Sequence, residues 1–348
     1  MKRITVETEK PYEIVIGKGI LKQCGDAVKE QFPLGNAVIV TDDNVESLYG
    51  DTVRKSLEKA AIPHRTFVFA NGEHAKNMDI LRELLEFMAR HQINRGDFIV
   101  ALGGGVVGDL AGFAAAVYLR GIPYVQLPTT FLAAIDSSVG GKTAVNLDAG
   151  KNLAGAFHQP SLVWCDHDTL KTMDPVRFAD GIAEAVKYAV LGDEDLFAQL
   201  RGGELRQHIE EIIATCVKIK RRLVLADEFD YGDRQFLNLG HTLGHAIEKH
   251  SDFEITHGHA VACGMVAIAE AATKNGLAEF DCKERIAEVL ALYGLPTKSP
   301  YPLEELLPYV ENDKKRSGET IRLVIPETVG KCRLLSLPVT KLKSFFQI

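Results

Sequence analysis

Five histidines fall within NLGHTLGHAIEKHSDFEITHGHA, residues 238–260: His241, His245, His250, His257 and His259. Their neighbours are mostly small or apolar, and imidazole is a common ligand for divalent metals, so the cluster points to a metal site. His241 and His245 stand at i, i+4, a spacing with which one helical turn can chelate an ion. The metalloprotease form of that pair carries Glu beside the first His, where this chain has Thr242. His257 opens the next expected helix and can point into the same site. His250 is expected to cap a helix end, where a cation is favoured, and His259 to be solvated. Upstream, ADGIAEAVKYAV sets Glu184 and Lys187 at i, i+3 in an Ala-rich segment. Such pairs are usually exposed, but these surroundings predict burial, and a buried carboxylate needs a cation or a metal. Two His and one Glu would form an open zinc-type set with a position left for substrate.

The stretch DRQFLNLGHTLGHAIEKH, residues 233–250, is expected to be one helix. Arg234, Asn238, His241 and His245 then share a face, while Phe236, Leu237, Leu239, Leu243 and Ile247 cover the rest. The polar stripe would run about 16 Å, too long for an ion alone and suited to an ion plus a small molecule.

Anion chemistry is suggested in two further places. LGGGVVGDLAG, residues 102–112, contains Gly103-x-Gly105-x-x-Gly108 after an expected strand and at the opening of a helix. Glycines there let backbone N–H groups approach a pyrophosphate. The acidic residue usual about 20 positions on is missing, so the motif alone is weak. VGGKTAVN is not a P-loop, because Asp136 stands where that pattern needs glycine. Lys142 in that run, and Lys151 with Asn152 in GKNLAG, can still meet an anion.

These residues need a scaffold that brings them to defined places. The first half alternates apolar runs (NAVIVTD, RTFVFA, DFIVALGG, YVQLPTT) with helical patterns such as NMDILRELLEFMARHQ. That alternation predicts an α/β, Rossmann-like domain with a mostly parallel sheet, binding ligands at the strands' carboxyl ends. From Asp174 the periods are helical: 178–191, 204–226, 234–250, 258–275 and a shorter one over 282–293, with an apolar IRLVIPE after ENDKKRSGET. We therefore expect an α/β N-terminal nucleotide-binding domain over 1–177 and an all-helical C-terminal metal-binding domain over 178–348, facing each other across a cleft. FIVALGGGVVGDLAGFAAAVYL is long enough to span a bilayer, but Asp109 and five glycines favour a buried strand and helix. A net charge of -7 argues against nucleic-acid binding. Six scattered cysteines without a CxxC pair, and an N-terminus without an apolar h-region, favour a reduced cytoplasmic location.

The glycine loop, GGKTAVN, FADGIAEAVKYA, LNLGHTLGHAIE with the upstream Arg234, and THGHAVA occur in an order that resembles the 3-dehydroquinate synthase family from end to end. The resemblance implies a dimeric enzyme that uses NAD and zinc or cobalt to turn 3-deoxy-D-arabino-heptulosonate 7-phosphate into 3-dehydroquinate and phosphate. It makes Glu184, His241 and His257 the metal ligands and leaves His245 to the substrate. It assigns NAD to Asp42, to Glu73 and Lys76, to Gly105, Val106, Val107, Gly108 and Asp109, to Thr129 and Thr130, to Thr169, Leu170, Lys171 and Thr172, and to Lys142 and Lys151. Substrate contacts would be Asp136, Lys142, Lys151, Asn152, Lys187, Lys220, Arg234, Asn238, His245 and Lys314 or Lys315, with Arg120 reaching the phosphate from the partner subunit. The chain departs from the family's habit at Asn71 and His259, outside the proposed chemistry. Relatives acting on other cyclic sugar phosphates tend to lose the equivalents of Lys187, Asn238 or His245; all three are present.

The implied reaction explains these residue types. Transient oxidation by NAD acidifies a neighbouring C–H, phosphate leaves, the hydride returns, and the ring opens and closes by an aldol step. Lysines and Arg234 would hold phosphate and carboxylate. A metal-dependent NAD polyol dehydrogenase would share the glycine loop and histidines but would not need so many lysines. A non-catalytic nucleotide sensor would not need the Glu-His-His set.

Overall fold

The computed structural model of the chain describes residues 1–311 and 319–347. Lys314 and Lys315 lie outside the described residues. Two compact units divide at Met173/Asp174.

The first unit is built on strands β1 (Lys2–Val6), β2 (Tyr12–Gly17), β3 (Ala37–Asp42), β4 (His64–Phe69), β5 (Phe98–Gly103), β6 (Tyr124–Pro128), β7 (Lys142–Leu147), β8 (Gly150–Phe157) and β9 (Leu162–Asp166). Seven of them form one sheet in the order β1-β2-β9-β6-β5-β3-β4. Every pairing in it is parallel except β1 with β2. Helices α1 (Cys24–Gln31) and α2 (Asp51–Lys59) cover one face, and α3 (Met78–Arg90) and α4 (Gly105–Val117) the other. Alternation along a strand divides the core between those faces. Ile39 packs with Val28 and Leu57, whereas Val38 and Val40 pack with Leu84 and Leu110. β3 and β5 are buried along their whole length, as continuous apolar runs require. The chain leaves β3 for β4 on one side and returns to β5 on the other, so the order reverses at their carboxyl ends. The glycine loop follows β5 at that switch point, where such sheets bind ligands. The apolar run 98–119 resolves into β5 and α4, and no helix among the described residues is long and apolar enough to cross a membrane.

GGKTAVN and GKNLAG, to which the sequence analysis assigned no secondary structure, form the antiparallel hairpin β7–β8. Their small residues hid the strand pattern.

The second unit contains α5 (Pro175–Gly192), α6 (Glu194–Arg201), α7 (Ile209–Ala226), α8 (His241–His250), α9 (His257–Lys274), α10 (Cys282–Leu292), α11 (Leu303–Glu311) and α12 (Leu342–Phe346). Among the described residues it is helical apart from short turns and one hairpin, β10 (Thr320–Thr328) with β11 (Lys331–Pro338), which the all-helical expectation left out. Asp174 starts α5 by accepting from the N–H groups of Val176 and Arg177, with Pro175 at the first helical position. α9 is nearly all small and apolar, and packs backbone-close. A Cβ on Gly258 would meet Asp180 Cα at 2.2 Å, and one on Gly264 would meet the Gly240 carbonyl at 2.0 Å.

The expected single helix over 233–250 is broken. Asp233–Asn238 is a tight 3-10 turn, Gly240 adopts φ +78°, and α8 begins only at His241. A left-handed residue cannot continue an α-helix, and glycine reaches that conformation at least cost. Arg234 and Asn238 therefore do not share a continuous helical face with His241 and His245.

Candidate metal centre and nucleotide edge

Glu184, near the middle of α5, is wholly buried. Neither of its carboxylate oxygens accepts a hydrogen bond; cationic or ionisable groups surround it instead. Lys187 forms a buried ion pair with it one turn on. His257 Nε2 lies 3.3 Å from Glu184 Oε1 and His241 Nε2 lies 3.6 Å from the same oxygen. The ligand atoms of these three residues all lie within 4.8 Å of one another.

The opposite ring nitrogens face acceptors. His241 Nδ1 lies 3.1 Å from the Leu239 carbonyl, and His257 Nδ1 lies 3.1 Å from Glu248 Oε2. A hydrogen on each Nδ1 leaves the lone pair on Nε2, directed toward Glu184. Two neutral imidazoles and a buried carboxylate that accepts no hydrogen bond fit a divalent ion. Without an ion, burial pushes the His257 imidazole down, but Glu184 and Glu248 outweigh it and hold the group up at about 10. The protonated ring then adds a second positive charge beside Lys187 at the Glu184 carboxylate.

His245 stands beside this set, its ring 5.3 Å from that of His241 and 6.1 Å from that of His257. It belongs to a second possible trio with Glu248 and His257. His250 ends α8, with Nε2 3.4 Å from Glu305 and its ring against Tyr301 and Tyr309. His259 is not solvated as expected. Its Nδ1 lies 2.9 Å from Asp180 and 2.8 Å from Thr256, tying the start of α9 to α5. Lys220 on α7 is buried, and so is Arg234, which donates to the Glu228 carbonyl at 2.5 Å. Asp227 gathers the N–H groups of Tyr231, Gly232 and Arg234 and so shapes the turn that carries Arg234. Burial raises its carboxyl, but those three donors and the Arg234 charge hold it below the usual range.

In the first unit, the residues expected to meet NAD lie along the carboxyl edge of the sheet. α4 starts at Gly105 with Gly104 before it, and no side chain caps its first turn. Gly108 lets the helix approach β6, since a Cβ there would meet Gln126 at 2.6 Å; Val107 is core. Val106 is only partly buried. Lys76 is the hub of the edge, with Nζ 3.0 Å from Asp109, 3.3 Å from Glu73 and 2.7 Å from the Asn152 amide oxygen. Burial pushes this ammonium down, but Asp109 and Glu73 more than offset it and hold it above the usual lysine value.

Asp42 caps the turn after β3 by accepting from Val45 N at 2.9 Å. Thr129 N donates to the Gly103 carbonyl and Thr130 Oγ1 accepts from Ala133 N. The short helix after β9 carries Thr169, whose hydroxyl donates to Asp166, and Thr172, whose hydroxyl pairs with Tyr49. Leu170 is buried in the core and Lys171 is paired with Asp168 at 2.6 Å. Asp136 lies in the turn Ala133–Ser137. Lys142 is exposed on β7, and Lys151 is half-buried on β8. Arg120 is exposed on a turn where it and Leu119 adopt φ +68° and +49°. The sequence reading missed Glu248, Asp227 and the Asp180 brace. For Glu248 there was a signal: it lies seven residues after His241 on the same helix.

A family model described as 3-dehydroquinate synthase N-terminal matches residues 66–180, and one described as 3-dehydroquinate synthase C-terminal matches residues 181–316. A 3-dehydroquinate synthase of Streptococcus suis (strain 05ZYH33) is 43% identical over 345 residues, covering 97% of each chain. Among solved structures, a 2-deoxy-scyllo-inosose synthase complexed with carbaglucose-6-phosphate, NAD+ and Co2+ superposes with TM-score 0.89 at 26% identity, covering 99% of each chain. A 2-epi-5-epi-valiolone synthase from Streptomyces hygroscopicus subsp. jinggangensis 5008, with NAD+ and Zn2+ bound, gives TM-score 0.88 at 25% identity, covering 99% of this chain and 98% of that one.

Proposed function

The chain belongs to the 3-dehydroquinate synthase family, and from that premise we infer that it converts 3-deoxy-D-arabino-heptulosonate 7-phosphate to 3-dehydroquinate and phosphate, the second step of the shikimate pathway. The observation that carries the reading is the buried Glu184 carboxylate facing the Nε2 atoms of His241 and His257. When bound, zinc or cobalt supplies Lewis acidity toward a substrate hydroxyl, and NAD supplies reversible hydride acceptance, so the reaction is a phosphate-eliminating lyase with no net redox change.

The chain's own residues do the rest. Glu184, His241 and His257 hold the ion. The uncapped start of α4, from Gly105 to Asp109, takes the pyrophosphate of NAD, and the Lys76 cluster fixes the loops around it. Lys142, Lys151, Asn152, Lys187, Lys220 and Arg234 hold phosphate and carboxylate as charge-assisted contacts. Asp136, Asn238 and His245 orient hydroxyls. The substrate's own phosphate takes the acidified proton, which accounts for the lack of a dedicated general base in the sequence reading. The enzyme works as a cytoplasmic homodimer, the exposed Arg120 turn reaching the phosphate of the neighbouring active site.

The test is a phosphate-release assay on the heptulosonate phosphate, with and without NAD. We expect many phosphates released per bound NAD and no net rise at the NADH absorbance band. Stoichiometric NADH accumulation would instead mark a dehydrogenase.

A further inference from the structure

Among the described residues, His257 is the one imidazole that two possible ion-binding trios share: Glu184 and His241, with the Glu184 carboxylate 3.3 Å from its Nε2, and His245 and Glu248, with the Glu248 carboxylate 3.1 Å from its Nδ1. A ring that donates a hydrogen from Nδ1 cannot also ligate through it, so the two trios exclude each other. We propose that Glu248 is a positioning residue: its carboxylate accepts the Nδ1 hydrogen of His257 and so aims Nε2 at the ion held with Glu184 and His241. The inference rests on that metal reading and extends it beyond the three ligands.

Three observations carry it. Glu248 is 4% exposed, so water does not compete strongly for its oxygens. Its Oε2 lies 3.1 Å from His257 Nδ1, within hydrogen-bonding distance. It sits on α8, the helix that also supplies His241, whereas His257 opens α9; the bond therefore links the two histidine ligands through one rigid element. His241 achieves the same tautomer through a backbone carbonyl, that of Leu239. Only the His257 arm depends on a replaceable side chain. A carboxylate accepting from a ligating imidazole fixes the ring and raises its basicity, and removing such a partner costs about 10- to 100-fold in metal affinity.

The experiment uses metal-free full-length protein and Co2+ alone, titrated against a competing chelator while the visible spectrum is recorded. Glu248→Ala should bind Co2+ about 100-fold more weakly, and Glu248→Gln, whose amide oxygen still accepts from Nδ1–H, about tenfold more weakly with the parental spectrum. Circular dichroism checks folding; if the alanine variant is unfolded, the glutamine variant decides alone. Glutamine-variant binding equal to the parent's would overturn the proposal. So would a glutamine variant as empty as His257→Ala, since Glu248 would then be a ligand itself. Failure of the parent protein to bind Co2+ would remove the metal site as well, which separates the two failures.

Discussion

The Lys76 ammonium lies 3.0 Å from Asp109, joining the segment after β4 to the glycine-loop helix. Both charges are needed where they are: Lys76 is buried, and only opposite charge keeps it ionised. Asp109→Asn should therefore destabilise the first unit by about 3 kcal/mol, at the low end for breaking a buried pair because Glu73 remains. It should also weaken NAD binding by loosening the loop. Chemical denaturation and isothermal titration with NAD check both, and unchanged values for both would reduce the pair to ornament.

The metal set makes a sharper expectation. His241→Ala, His257→Ala and Glu184→Ala should each lose most bound metal on dialysis. His245→Ala should stay near stoichiometric in metal and NAD yet turn over poorly. Elemental analysis decides between the trios: an empty His245→Ala beside a full His257→Ala would reverse the assignment.

How far this centre could be read from sequence depends on the element. The strands β3 to β6 and helix α4 were legible because unbroken apolar runs of strand length, bounded by Gly, Pro or Asp, have few other readings. The start of α9 at His257 was legible from the small-residue run behind it. The break before His241 was not. The polar period continues through Arg234, Asn238, His241 and His245, and only Gly240 departs from it. Gly240 has a positive φ and lies backbone-close to α9, where a Cβ on Gly264 would meet the Gly240 carbonyl, a closeness between residues 24 positions apart in sequence. The β7–β8 hairpin was hidden by glycines that also suit an anion loop. The ligand trio itself came from the family resemblance, because i, i+4 spacing alone favours His241 with His245.

Lys142 tests the anion reading. It is exposed on a hairpin strand, so Lys142→Ala should leave folding nearly unchanged. Loss of a charge-assisted contact of about 3–5 kcal/mol should lower kcat/KM by a factor of hundreds or more. Steady-state kinetics at parental thermal stability is the measurement; unchanged kcat/KM would return Lys142 to the solvated surface.

The thiols make a pH prediction. Burial pushes Cys24, Cys263 and Cys282 up to about 11 from 9.0. A raised value means the folded state holds these protons more tightly than the unfolded chain. The resulting stabilisation is complete below pH 9 and is lost as pH rises through 9 to 11. Unfolding midpoints in denaturant should fall across that window, and native protein at pH 8 should react slowly with a thiol reagent. Rapid modification of all six cysteines at that pH would contradict the burial described.

Glu184, His241 and His257 come from three helices, separated along the chain by more than seventy residues between first and last. No short peptide of this sequence carries all three of these residues; the set assembles only after α5, α8 and α9 have docked. Loading would in that sense be a quality check on the finished fold, and a bound ion would act afterwards as a clamp. Free metal at 100 times its dissociation constant would add about 2.7 kcal/mol to the native state. A cell short of the metal would hold a second unit that is correctly folded but easier to open, and so more exposed to proteolysis, before its chemistry is considered at all.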